Sequence, residues 1–174
     1  MIRKAVKEDI PAVTQIYNDI LTLQEAGLCP TGWKRGIYPT IRTAEDALKA
    51  GTLFVLEQYG EIAASAKIDR IQVPEYADCQ WTYKAPEEKV MVLHTLVVDP
   101  GETHRGLAAS FVRFYEDYAG NHGCPCLRID TNVINLPARA LYRKLGYTEA
   151  GIVPCCFNGI EGVKLVCLEK TLCE

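Results

Sequence analysis

The chain has 174 residues, of which 48% are hydrophobic and 24% are charged, and its formal net charge is −3. This length suits one domain spanning 1–174, with a core that needs neither disulfide nor metal. The acidic excess argues against a nucleic-acid-binding protein, and no apolar run is long enough for a membrane helix. Because the chain starts without a secretory signal, we expect a cytoplasmic protein, monomeric or homodimeric, with neither nucleic acid nor membrane as a partner.

The chain contains 8 cysteines, and we expect them to be reduced structural thiols. Without a signal peptide, their even number gives little support for disulfides. Cys124 and Cys126, like the adjacent Cys155 and Cys156, lack the C-x-x-C spacing of zinc and redox sites. We therefore predict no metal site, and Cys167, inside an apolar run, is expected to be buried.

The first half of the chain predicts alternating strands and helices. Ile2–Ala5 alternates apolar and charged residues as a half-buried strand does, and Asp9 is placed to cap a helix. Residues 26–42 show no clear period, which indicates a long loop of the kind that often carries function. A short helix from Thr43 should end at Gly51. The apolar stripe of the first helix is expected to contain Ile10, Val13, Tyr17, Ile20 and Leu21.

Two β-prone runs, Thr52–Glu57 and Glu61–Ile68, predict a hairpin. A polar and aromatic excursion over 72–88 follows. The most apolar run of the chain, Val90–Val98, then predicts a fully buried central strand.

The second half adds two helices and three strands. Helical stripes run from Ala108 to Ala119 and from Ala138 to Leu145. Strands are predicted over Pro125–Thr131, Tyr147–Val153 and Val163–Leu172. Because a helix connects the central strand to the next one, that pair should be parallel. The predicted fold class is α+β, a mixed sheet with helices on its faces.

The segment from Val97 to Ala109 predicts a strand that runs through a short loop into a helix. Backbone N–H groups at a helix start lack partners and carry the positive end of the helix dipole. The small residues Gly106, Ala108 and Ala109 would let an anion approach this backbone closely. The alternative is an ordinary strand-to-helix turn, since loops with one glycine are common.

The segment from Asp130 to Tyr147 places polar residues at a strand end, followed by a helix that begins near Asn135. Pro137 falls in the first turn of this helix, where proline is tolerated. Tyr142 lies on its apolar stripe, and a tyrosine there is more often a core residue than a functional one.

Together the two segments resemble the GNAT superfamily of N-acetyltransferases. That family has a strand ending V-x-P, a loop of the form Q/R-x-x-G-x-G/A, and a later helix reading N-x-x-A-x-x-L/F-Y-x-x-x-G-F/Y. Here Gly106-Leu107-Ala108 matches the end of the loop motif. Residues 135–147 follow the helix motif nearly completely. Thr103 and His104 depart from the family pattern, which most often has Gln or Arg and a glycine there, and Arg105 is placed to supply the missing positive charge.

The resemblance implies a mostly antiparallel sheet flanked by helices, with a cofactor cleft splayed between two central strands. It implies acetyl-CoA as co-substrate, direct attack by an amine, and Tyr142 as the general acid that protonates the departing thiolate. The implied cofactor-binding residues are Leu96, Val97, Val98, Thr103, His104, Arg105, Gly106, Leu107, Ala108, Ala109, Asn135, Ala138 and Tyr142.

His94 is the candidate general base. It lies two residues before Leu96 and four before Val98, so strand alternation predicts that all three share one face. Histidine titrates near neutral pH and suits deprotonation of an ammonium group, and in related arylalkylamine acetyltransferases histidines on this strand have that role. The alternative is a core histidine bonded to a neighbouring loop.

The acceptor pocket is expected to draw on the 26–42 loop, the 72–83 excursion and the strand end that carries Asp130. An exposed aromatic side chain in a loop is typical of a contact surface, and a carboxylate suits an ammonium ion. The candidate substrate residues are Trp33, Tyr38, Glu75, Trp81 and Asp130.

These residues predict an N-acetyltransferase that acts on a primary amine, either a small molecule or a peptide N-terminus. The alternative is a non-catalytic domain of the same fold that binds or senses acetyl-CoA.

Overall fold

One seven-stranded sheet runs through the molecule, in the order β1-β2-β3-β4-β5-β7-β6. The structure is a computed structural model that describes residues 1–102 and 105–172. The strands are β1 (Ile2–Lys4), β2 (Leu53–Gln58), β3 (Glu61–Asp69), β4 (Val90–Val98), β5 (Cys126–Asn132), β6 (Thr148–Phe157) and β7 (Ile160–Thr171), and the helices are α1 (Ile10–Glu25), α2 (Ile41–Lys49), α3 (Leu107–Asn121) and α4 (Leu136–Lys144).

The sheet is mixed and mostly antiparallel, as expected for the α+β class. Every neighbouring pair is antiparallel except β4 and β5, which are joined through α3 and run parallel. The predicted parallel crossover is confirmed. Helix α3 packs against both strands of this pair, since the Tyr115 hydroxyl bonds the carbonyl oxygens of Met91 in β4 and Arg128 in β5.

Helices cover both faces of the sheet because successive strand residues point to opposite sides. On one face, α1 and α2 pack with Leu53, Val55 and Val97. On the other, α3 and α4 pack with Phe54 and Leu93. The stripe predicted for α1 is confirmed, since all five of its residues are buried.

The β6–β7 hairpin is longer than the sequence predicts. The predicted strands end at Val153 and begin again at Val163, whereas in the structure β6 continues to Phe157 and β7 begins at Ile160. Pro154 is tolerated because β6 is the edge strand of the sheet. Asn158 and Gly159 make the turn with φ values of 50° and 77°, the left-handed region that an Asn-Gly hairpin turn requires.

The described cysteines form no disulfides. The seven cysteines in the described part of the chain are all free, and Cys167 is fully buried as predicted. Cys173 lies outside the described residues. Within the described ranges, no helix is long and apolar enough to span a membrane.

Candidate active site

A cleft opens where β4 and β5 separate. The two strands pair from Val90 opposite Cys126 to Leu93 opposite Ile129, and their pairing ends there. Beyond that point, 95–98 of β4 and 130–132 of β5 line a cavity of about 260 Å³. Since backbone N–H and C=O groups need partners, the unpaired edge of β4 offers hydrogen bonds to an extended ligand.

A β-bulge in β4 lies at the start of this cleft. Opposite β3, Ser65 faces Val97 but Lys67 faces His94, so β4 contains one extra residue. Thr95 has φ = 50°, an uncommon value for a β-branched residue. Bulges of this kind end regular pairing and redirect side chains next to active sites.

The bulge overturns the predicted orientation of His94. Leu96 and Val98 pack on the α3 face, together with Leu93. His94 lies opposite Lys67 on the other face, and it is not among the residues that line the cleft. The expectation that His94, Leu96 and Val98 share one face is therefore wrong, because the inserted residue reverses the strand alternation.

His94 is instead held by a carboxylate on β3. Its Nε2 lies 3.1 Å from Oδ1 of Asp69, and Lys67 forms an ion pair with the other oxygen of Asp69 at 3.0 Å. Burial alone would raise the pKa of Asp69, but the His94 and Lys67 contacts outweigh it and hold this pKa below its usual value. Its position matches the alternative interpretation more closely than the base role.

The start of α3 is open to an approaching group, although none of the predicted cofactor residues 105–109 is among those that line the cavity. Gly106 is the N-cap residue and has φ = 74°. A Cβ built on Gly106 meets no atom within 4 Å, so the space over this backbone is free. The following first-turn amides, from Leu107 to Ala109, lack intrahelical partners and carry the positive helix end. Arg105 forms an ion pair with Glu102, which reduces the charge available here. Thr103 and His104, both predicted for this loop, lie outside the described residues.

The start of α4 faces the same cleft from the β5 side. The side chain of Asn135 caps the helix by accepting a hydrogen bond from the Ala138 backbone N–H at 3.3 Å. Because its carbonyl oxygen is used in this way, Asn135 would contact a ligand through its amide NH₂ group. Asn135, Ala138 and Tyr142 all line the cleft together with 96–98, so the structure brings the two sequence segments into one site.

Tyr142 is 6% exposed and lines the cleft. Burial, together with the nearby carboxylate of Asp130, raises the pKa of Tyr142 above its ordinary value. The phenol therefore stays protonated across the physiological range and is able to donate a proton.

Asp130 reaches the cleft from the end of β5. The hydroxyl of Tyr76 donates a hydrogen bond to its Oδ2 at 2.7 Å. Burial raises the pKa of Asp130, and the Tyr76 hydrogen bond and the electrostatic attraction of His94 only partly offset this effect, while Glu75 adds to it. The sequence pointed to the 72–83 excursion without distinguishing Tyr76, because this contact joins residues 54 positions apart.

Two of the other predicted substrate residues line the cleft and two do not. Trp33 and Tyr38 line it and pack edge to face with ring centroids 5.8 Å apart. Tyr38 is hydrogen-bonded to the Thr95 hydroxyl, and burial raises its pKa to about 12. Glu75 and Trp81 are not among the lining residues.

Trp81 packs on the buried guanidinium group of Arg128 instead of lining the cleft. Its ring lies 4.0 Å from the guanidinium carbon of Arg128, and its Nε1 donates to the Tyr76 carbonyl oxygen at 2.9 Å. An arginine that is 7% exposed gains from an aromatic face, and this contact places Trp81 behind Tyr76 rather than in the cleft.

Sequence reasoning missed one wall of the cleft. It comes from the β6–β7 hairpin and contains Phe157, Ile160, Val163 and Leu165. The Asn-Gly pair was the available signal, since it is a strong indicator of a tight hairpin turn.

Comparison with known proteins identifies related sequences and folds. A sequence model described as the acetyltransferase (GNAT) family matches residues 12–147. YhfO of Bacillus subtilis (strain 168), an uncharacterized N-acetyltransferase, is 35% identical over 72 residues, which cover 41% of this chain and 48% of that protein. The match therefore spans about half the length of that relative.

Solved structures share the fold at low sequence identity. A GNAT-family acetyltransferase from Streptococcus agalactiae 2603 has a TM-score of 0.82 at 23% identity, covering 100% of this chain and 96% of that chain. The yncA acetyltransferase of Salmonella typhimurium, solved with its cofactor acetyl-CoA, has a TM-score of 0.70 at 19% identity, covering 100% and 94%.

Proposed function

The chain belongs to the acetyltransferase (GNAT) family, and on that premise we propose that it transfers the acetyl group of acetyl-CoA to a primary amine. The observation that carries this proposal is the convergence of two features on one cleft. These are the β4 edge beyond its pairing with β5, and the buried Tyr142, which lines the same cavity.

The residues around the cleft suit the parts of acetyl-CoA. The backbone of Leu96 and Val98 would pair with the pantetheine amides, as a further strand would. The pyrophosphate would lie on the first turn of α3, where amide donors and the helix dipole favour an anion. Asn135 would donate to the pantetheine arm. The contributions of Arg105, Thr103 and His104 to the pyrophosphate remain predictions.

Tyr142 would act as the general acid. The amine nitrogen forms a bond to the carbonyl carbon of the thioester, and the bond from that carbon to sulfur breaks. The electron pair leaves with sulfur as a thiolate, which takes the phenol proton of Tyr142. The nitrogen is positively charged after the attack, and it releases its extra proton to the resulting phenolate, so the amide and the phenol both end neutral. Its raised pKa keeps Tyr142 protonated before the reaction, and it also favours return of a proton to the phenolate afterwards.

Asp130 would take the proton that the substrate ammonium loses before attack. It lines the cleft, whereas His94 does not, and its raised pKa makes it a stronger base than an ordinary aspartate. We assign His94 an indirect part, since its electrostatic attraction stabilises the charged form of Asp130.

Two tyrosine-to-phenylalanine variants test the general-acid role of Tyr142. Tyr142→Phe should lower kcat by about 10²–10⁴-fold and leave acetyl-CoA affinity nearly unchanged. Tyr147→Phe is the matched control, since Tyr147 is 3% exposed, packs against Tyr142 with ring centroids 6.0 Å apart, and is absent from the cleft lining. N-acetylated product is measured by mass spectrometry, and acetyl-CoA affinity by thermal shift.

Unchanged turnover in Tyr142→Phe, or an equal loss in both variants, would contradict the general-acid role. Binding of acetyl-CoA without transfer to any primary amine or peptide N-terminus would instead favour the non-catalytic sensing domain.

A further inference from the structure

We infer that the acceptor is a small monoamine with an apolar body and no carboxylate. This inference rests on the proposed function and concerns the substrate class of the same cleft. It is carried by the charges and the apolar surface around the acceptor end.

Asp130 is the single charged side chain among the described residues that line the cleft. The other lining side chains are apolar, aromatic or neutral and polar. His94 attracts this carboxylate from outside the cleft, but no cation lines the cleft beside it among the described residues. A desolvated carboxylate in this position favours a positive ligand group. With Oδ2 accepting from Tyr76 at 2.7 Å, Oδ1 is left for the substrate ammonium.

Three basic side chains, Lys67, Arg139 and Arg128, each contact a partner outside the cleft lining. Lys67 pairs with Asp69 at 3.0 Å, and Arg139 pairs with Glu149 at 2.8 Å. Arg128 lies under Trp81. None of these three lines the cleft, so a substrate carboxylate would find no cation among the described residues there.

Two groups of aromatic and apolar residues in the cleft lining suit an apolar substrate body. Trp33 and Tyr38 form one wall, and the hydroxyl of Tyr38 is already bonded to Thr95. Phe157 and Ile160 contribute the other wall from the β6–β7 hairpin. Aromatic and aliphatic surface of this kind stabilises a hydrocarbon body through burial.

An α-amino acid is disfavoured by the same arrangement. Its carboxylate lies two bonds from the nitrogen, so binding the ammonium at Asp130 brings two negative groups close together. Like charges placed together without a counterion weaken binding, and rejecting a competitor by repulsion is a common basis of specificity. A peptide N-terminus lacks that charge, but its further backbone amides would each need a partner. Asn158 is the one polar side chain that the β6–β7 hairpin contributes to the described lining.

A series of matched acceptors separates charge from size. The substrates are 2-phenylethylamine, phenylalanine and phenylalaninamide, together with 3-methylbutylamine, leucine and a short peptide amide beginning with phenylalanine. We expect kcat/KM for each amine to exceed that of its amino acid by about 100-fold or more. Phenylalaninamide, which keeps the size and removes the negative charge, should recover much of the loss.

A variant tests whether Asp130 is the source of this selectivity. Asp130→Asn should lower activity with 2-phenylethylamine and should also reduce the ratio between 2-phenylethylamine and phenylalanine, since the repulsion is removed. A variant that loses activity only through unfolding would show a lower Tm, and the ratio would be preserved.

The outcomes distinguish the inference from the proposed function. Equal or better use of the amino acids, preference for the peptide, or an amide no better than its acid would overturn the inference while acetyl transfer stands. The inference also fails if acetyl-CoA binds but no amine in the series is acetylated. If acetyl-CoA does not bind at all, the proposed function fails with it.

Discussion

Replacing Gly106 with alanine tests the anion cradle at the start of α3. Gly106 has φ = 74°, and a Cβ there would project into open space without a clash. The substitution therefore has two separable effects. It strains the backbone, and it puts a methyl group where the pyrophosphate is proposed to approach the helix amides.

Gly123→Ala is the matched control for strain. Gly123 has φ = 69° and also meets no atom within 4 Å of a built Cβ, but it follows the opposite end of α3. A left-handed conformation costs a non-glycine residue about 1–2 kcal/mol. Both variants should therefore lose a similar amount of stability, which corresponds to roughly 2–8 °C in Tm for a chain of this size.

Ligand binding should separate the two variants. At 100 times its Kd, acetyl-CoA stabilises the parent by about 2.7 kcal/mol. If the methyl group raises Kd about tenfold, the stabilisation of Gly106→Ala at the same concentration falls to about 1.4 kcal/mol. Gly123→Ala should keep the full value.

The assay is thermal unfolding of the three proteins across an acetyl-CoA titration. An equal ligand-induced shift in Gly106→Ala and Gly123→Ala would refute the argument, because the space over Gly106 would then not be used by the ligand.

Two further predictions follow from ionisable groups. Arg3 binds both oxygens of Asp9, at 2.7 and 3.0 Å, and its hydrogen bonds lower the pKa of Asp9 despite burial. Asp9→Asn should therefore lose about 1–2 kcal/mol of unfolding free energy above the ordinary aspartate pKa of about 3.9, and the difference should shrink as pH falls below it; a difference that is constant in acid unfolding curves would contradict the pairing. His94→Ala should move the acidic limb of kcat/KM to higher pH, because Asp130 loses an attraction that lowers its pKa; a uniform loss that follows a lower Tm would make His94 purely structural.

Local sequence patterns predicted the parts of the fold that depend on burial periodicity. The α1 stripe, the long apolar strand β4 and the parallel crossover into β5 are each determined by neighbours in sequence or by a connection rule. The same patterns placed Gly106 and Asn135 at helix starts and Tyr142 on the apolar stripe of α4. The structure brings Asn135 and Tyr142 to the cleft at the end of β4.

The remaining features depend on tertiary contacts that no local pattern encodes. The bulge at Thr95 lacks the glycine that often marks such a position, so regular alternation gave His94 the wrong face. Trp81 packs on Arg128, and Tyr76 reaches Asp130 across 54 positions. Neither pair has a spacing that a sequence pattern would reveal.

The position of bound acetyl-CoA tests the account most directly. A crystal structure of the complex should place the pyrophosphate on the first-turn amides of α3 and the pantetheine along the free edge of β4. The thioester sulfur should then lie within about 3.5 Å of the Tyr142 hydroxyl. A pyrophosphate bound away from Gly106, or a sulfur beyond hydrogen-bond reach of Tyr142, would contradict the proposed site and its mechanism.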